Sequence, residues 1–197
     1  KRIHGVDTFY SPRKFFGVPD GGYLYADHVE LNIEAQDVSL NRMNHLLKRI
    51  ESGPEAGFED YKINDASIMN QPIKNMSAIT KAILKSIDYS VVRTKRQNNY
   101  HYLNNKLLCY NKLGFDILND VTPMAYPLLS NQEGVREYLI KRKIYVAKYW
   151  PNVSMSMKTS TIEYKLADNI IPLPIDQRYN MDDMQIIVNI INEFYAK

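Results

Sequence analysis

Among the chemistry-bearing residues of this chain, Lys14 stands out for its setting in SPRKFFGVPDGG, Ser11 to Gly22. A lysine amine is a nucleophile only once it has lost its proton, and partial desolvation or a neighbouring cation favours that loss. Lys14 is read just past a strand end. Gly17, Gly21 and Gly22 follow it, supplying turns whose backbone can approach a phosphate closely. Arg13 would further disfavour a charge on Lys14 if the two side chains point the same way. Asp20, before Gly21 and Gly22, reads as a turn former in preference to a catalytic carboxylate. The plainer reading of Lys14 itself, a solvated cation on a turn, stands beside the chemical one.

No rival constellation is present. His4, His28, His45 and His101 are scattered without Cys or carboxylates at ligand spacing, so no metal is expected. There is no Walker-type glycine loop, GxSxG or GxGxxG. The basic run Arg93 to Arg96, with Tyr100 and Tyr102 after it, reads as a nucleic-acid contact or as a solvated helix face, and the second is preferred. Tyr100, Tyr102 and Tyr110 either line a ligand site or cover a core edge. Cys109 is the single cysteine, which excludes an internal disulfide framework and suggests packing.

The elements that must position Lys14 follow from the pattern. Ile3, Val6 and Phe9, then Gly22 to Ala26, predict two short strands joined by a turn rich in glycine and proline. Leu40, Met43, Leu47 and Ile50 predict an amphipathic helix that stops at Gly53 and Pro54. Glu55 to Gln71 is too irregular to assign beyond short helix or loop. Ile79, Ile83, Ile87 and Val91 predict one long helix running from Ser77 to about Tyr110. Beyond Gly114 an extended edge segment over Thr122 to Leu129, a short helix over Gln132 to Lys141 and a strand at Ile144 to Ala147 are expected. A polar loop over Asn152 to Thr161 and an extended Ile170 to Ile175 then lead to a final helix. Asn180 and Asp183 cap that helix, and Met184, Ile187, Val188, Ile191 and Phe194 form its buried stripe.

Composition is that of a globular protein, 45% hydrophobic and 24% charged, with 25 Lys and Arg against 22 Asp and Glu. Apolar runs are too short to span a bilayer, and no secretory signal is evident at the start. A cytoplasmic protein, with neither nucleic acid nor membrane as partner, is expected.

The segment SPRKFFGVPDGGYLYAD, Ser11 to Asp27, resembles the cofactor-lysine segment of the DegT/DnrJ/EryC1/StrS family of pyridoxal-phosphate (PLP) sugar aminotransferases. The likeness extends through Met76 to Leu84, Arg96 with Asn99, and IPLPI with Tyr179 and the last helix. It implies an α/β chain: the C-terminal portion of a PLP fold type I large domain over residues 1–98, then a small α+β domain over 99–197. It further implies that Lys14 holds PLP covalently and serves as nucleophile and general base. Ser11 would hold the phosphate, although the family's serine stands five residues before the lysine, where this chain has Phe9. Asn70, lent by a neighbouring subunit of a homodimer, would be a second phosphate ligand. The implied reaction moves an amino group from an amino acid to a nucleotide-linked keto-sugar, for surface polysaccharide or a related glycan. The family's phosphate turn, ring-stacking aromatic and pyridine-pairing carboxylate all precede the lysine, so the isolated chain is expected to be inactive. A catalytically incompetent binding or scaffold module is the alternative. A PLP-dependent sugar dehydratase is another, and Lys14 in place of the histidine found there argues against it.

Overall fold

A computed structural model of the chain describes residues 4–28, 32–114, 117, 118 and 120–197. These residues form a mixed α/β structure with helices and two small antiparallel sheets. The chain divides into two compact units, residues 1–87 and 88–197. The boundary expected at 98/99 falls inside a helix of the second unit.

In the first unit β1 (Thr8–Tyr10) pairs antiparallel with β2 (Tyr23–Tyr25), with Phe9 opposite Leu24. The Asp27 carboxylate closes the ribbon by accepting from the Gly5 amide at 3.0 Å. Both expected strands are therefore present, although Ile3 lies outside the described residues. Next come a 3₁₀ turn (Leu40–Arg42), α1 (Asn44–Ser52), α2 (Phe58–Ile68) and α3 (Ala78–Lys85). The stripe that predicts α1 is real, but within this unit Leu40, Leu47 and Ile50 are exposed and His45 is the buried residue. The unit is held largely by polar groups: its buried side chains include Asp20, Ser39, Asn64, Ser77 and Thr80 beside Val18 and Leu84.

The second unit opens with α4 (Tyr89–Leu107). The single long helix expected from Ser77 is interrupted after Lys85, because the Asp88 carboxylate accepts from the amides of Ser90 and Val91 and starts a new helix. The face that α4 buries is Val92, Arg96, Asn99, Tyr100, Leu103 and Leu107, while Val91 is exposed. β3 (Tyr126–Leu129) pairs antiparallel with β4 (Ile170–Leu173), setting Pro127 opposite Pro172. Neither proline can donate to the ladder, and a two-stranded sheet tolerates both. α5 (Val135–Lys141), α6 (Pro151–Ser156) and α7 (Ile162–Asn169) lie between these strands. Ile144 to Ala147 is not a strand: the Ala147 carbonyl accepts from Arg136 at 2.7 Å instead of pairing in a ladder. The expected loop over Asn152 to Thr161 begins as α6, with Pro151 at its first position.

α8 (Met181–Tyr195) completes the core as expected. The Asn180 side chain accepts from the Asp183 amide at 3.1 Å and the Asp183 carboxylate from the Asn180 amide at 2.8 Å, a reciprocal cap. Its buried stripe, Met184, Ile187, Val188 and Ile191, packs with Leu103, Leu107, Tyr126, Leu128, Leu139 and Leu173. Cys109, expected to pack, is exposed beyond the end of α4.

Candidate functional site around Lys14

β1 delivers the chain to Ser11, and Pro12 then fixes the first position of a 3₁₀ turn (Pro12–Lys14). The Lys14 amide donates to the Ser11 carbonyl at 3.1 Å, and the Phe15 and Phe16 amides both donate to the Pro12 carbonyl at 2.9 Å. Lys14 therefore sits on a hydrogen-bonded turn between two paired strands, and its side chain is exposed. The described residues do not supply the desolvation that the sequence reading asked of this amine. Arg13, weighed as a repelling neighbour, instead pairs with Asp65 of α2 at 2.8 Å.

The far end of the loop is anchored much more firmly. Asp20 is only 4% exposed. One carboxylate oxygen accepts from Thr80 Oγ1 at 2.5 Å and Ser77 Oγ at 3.3 Å, and the other from Arg42 Nη2 at 2.7 Å. Arg42 also reaches Asp37 at 2.6 Å, and Ser77 bonds Ser39 at 2.6 Å. Asn64 of α2 adds a bond to the Pro19 carbonyl at 3.0 Å. Gly21, at φ 99°, completes the clasp: a Cβ there would stand 3.0 Å from the Met76 methyl and 3.1 Å from the Thr80 methyl. Asp20 thus ties the turn to α3 with its acceptors taken up, an arrangement that suits an anchor and not an acid or base.

Ser11 is half-buried in the same turn as Lys14, and its hydroxyl makes no capping bond. Asn70 is exposed beyond α2, in a left-handed conformation with φ 61° that turns the chain out of the helix. Among the described residues no hydrogen bond brings Asn70 to Ser11 or Lys14. The residues present thus fit PLP in part. Among the described residues they offer an accessible amine and a nearby hydroxyl. Among the described residues no group of three His, Cys, Asp or Glu gathers as a metal set.

Sequence reasoning named Arg96 and Asn99 only as points of likeness and set Arg96 on a solvated helix face; both are instead buried polar pins of the second unit. Arg96, 2% exposed, donates to Gln177 at 2.9 Å and to the Pro123 and Met124 carbonyls at 3.2 and 3.0 Å. Burial lowers its pKa, and the Asp176 charge opposes that shift. Asn99 donates to the Ile175 and Tyr179 carbonyls, both at 3.2 Å. The signal was an Arg and an Asn in register with Val92, Tyr100 and Leu103, a stripe masked by the more apolar one through Val91. Tyr100 is in the core against Tyr126, with ring centroids 5.2 Å apart, and Tyr110 stacks on Tyr195 at 4.0 Å.

Comparison of the chain with protein-family models, with curated proteins and with solved structures finds no match.

Proposed function

We propose that this chain is the cofactor-lysine portion of a PLP-dependent aminotransferase acting on a keto-sugar, in which Lys14 is the residue that carries the cofactor. The observation that carries the reading is the loop from Ser11 to Gly22. A strand, a short turn bearing an accessible amine, an anchored Asp-Gly-Gly turn and a returning strand follow one another in the order the resemblance requires. When bound, PLP would supply the electron sink for amino transfer. This chain's part is to present the Lys14 amine at a fixed place, and Asp20 fixes the loop that does so. The amino donor would be an amino acid and the acceptor a nucleotide-linked keto-sugar, with two copies of the protein sharing the site.

The exposure of Lys14 favours a second reading, a binding or scaffold module that keeps this part of the fold without the chemistry. An aminotransferase needs further groups to desolvate the amine and hold the phosphate and ring nitrogen. The two readings separate on the full gene product mixed with PLP. The enzyme gives a visible absorbance band that Lys14→Ala abolishes; a spectrum equal to that of free PLP in both proteins supports the scaffold.

A further inference from the structure

Charge is not spread evenly over this protein. From Lys141 to Lys165 six cations, Lys141, Arg142, Lys143, Lys148, Lys158 and Lys165, face the single carboxylate of Glu163 in sequence, although the whole chain carries only +3. All six are exposed. Lys148 pairs with Asp168 at 2.5 Å and Arg142 with Glu193 at 2.9 Å, but such solvated pairs are readily exchanged for other anions. Lys158 and Lys165 have no ion pair among the described residues.

The same stretch folds as a helical hairpin, α6 packed on α7, which exposes the large apolar side chains Met155 and Ile162 among polar residues. On α6 Val153 and Ser154 are half-buried, which leaves Met155 on the outer side at 88% exposure. On α7 Ala167 is the buried residue, while Ile162, Lys165 and Asn169, spaced to share one face, are exposed. Trp150, the residue before α6, is 61% exposed, with its ring edge-on to Tyr149 at 5.7 Å. Met157 and Ile162 are 46% and 66% exposed.

We propose that this hairpin is a peripheral docking surface for an anionic lipid bilayer, with Trp150 and Met155 entering the headgroup region and Lys158 and Lys165 facing lipid phosphates. Indole rings favour the membrane interface, and an apolar face rimmed by cations binds there through buried area plus attraction to acidic lipids. Nucleic acid fits less well. Five of the six cations are Lys, lacking the planar fork of Arg, and of the exposed apolar residues Trp150, Met155, Met157 and Ile162 only Trp150 has a ring that can stack on a base. The sequence-based expectation of no membrane partner rested on short apolar runs; among the described residues no helix is long and apolar enough to cross a bilayer, and peripheral docking requires none. The proposal is independent of any PLP chemistry.

Trp150 is the only tryptophan of the 197 residues, so the part of the emission that Trp150→Phe removes reports on this surface. The full gene product is titrated with vesicles of phosphatidylcholine alone and with vesicles containing phosphatidylserine. The expected result is a blue shift and co-sedimentation with the acidic vesicles only, reversed by salt. Lys158→Ala with Lys165→Ala should weaken that binding about 25-fold, and Met155→Asp should reduce the blue shift, with circular dichroism unchanged in both variants. Unshifted emission without co-sedimentation, or equal binding to neutral vesicles, overturns the proposal. So does quenching by a single-stranded oligonucleotide when vesicles have no effect, which would assign the surface to nucleic acid.

Discussion

Replacing Asp20 with Ala would remove the acceptor on which three side chains of the first unit converge. Arg42 would lose its partner at 2.7 Å, Thr80 its bond at 2.5 Å and Ser77 its bond at 3.3 Å, all at a carboxylate that is 4% exposed. Removing one member of a buried ion pair typically costs about 3–5 kcal/mol. Here Arg42 keeps Asp37 at 2.6 Å, which moves the value to the low end. The Thr80 hydroxyl loses its acceptor but keeps Ser77 Oγ at 3.1 Å, adding at most roughly 1 kcal/mol, and Ser77 adds little because it retains Ser39 at 2.6 Å. A destabilisation of about 3–4 kcal/mol follows for Asp20→Ala. Asp20→Asn, which keeps an oxygen acceptor but loses the charge, should cost about half as much. Urea unfolding followed by circular dichroism measures both, and two separate transitions would assign the loss to the first unit. A change below about 0.5 kcal/mol for Asp20→Ala would refute the view that this carboxylate anchors the loop carrying Lys14.

Three further outcomes follow. His45 is buried, with no partner at Nδ1 among the described residues, and burial holds its pKa below the ordinary 6.5. Its neutral form therefore belongs to the folded state, and stability should fall as pH drops below about 6.5, a dependence that His45→Gln flattens in unfolding midpoints measured from pH 7.5 to 5.5. Gly57 has an ordinary φ of −91°, but a Cβ would stand 2.5 Å from the His45 carbonyl; Gly57→Ala should destabilise by about 1–3 kcal/mol in the same urea assay. Asn180→Ala breaks the reciprocal cap of α8 and should cost about 1–2 kcal/mol, seen as a lower thermal midpoint.

What could be read from sequence was what local chemistry fixes. Glycine and proline between Gly17 and Gly22 mark the turn between β1 and β2, and Asn180 with Asp183 marks the start of α8, because both are decided by residues adjacent in the chain. The break between α3 and α4 was missed because the Ile79 to Val91 spacing runs straight through it, while the Asp88 cap that makes the break is a single polar residue. The mistaken strand at Ile144 has a similar origin. Val146 is buried as a strand residue would be, but the neighbouring carbonyl bonds a side chain, and that choice is made by Arg136 on another element. At the candidate site the turn under Lys14 was legible, whereas the role of Asp20 was not. Ser77, Thr80 and Arg42 reach it from as far as sixty residues away, and no spacing rule encodes such a meeting.

The proposed chemistry depends on the Lys14 amine, and one measurement addresses it most directly. The full gene product is incubated with PLP, reduced with borohydride, digested and read by mass spectrometry. A pyridoxyl group on the peptide containing Lys14, missing from the Lys14→Ala protein and undiminished on other lysines there, is the predicted result. A label spread evenly over the surface lysines, with Lys14 no more modified than its neighbours, would contradict it.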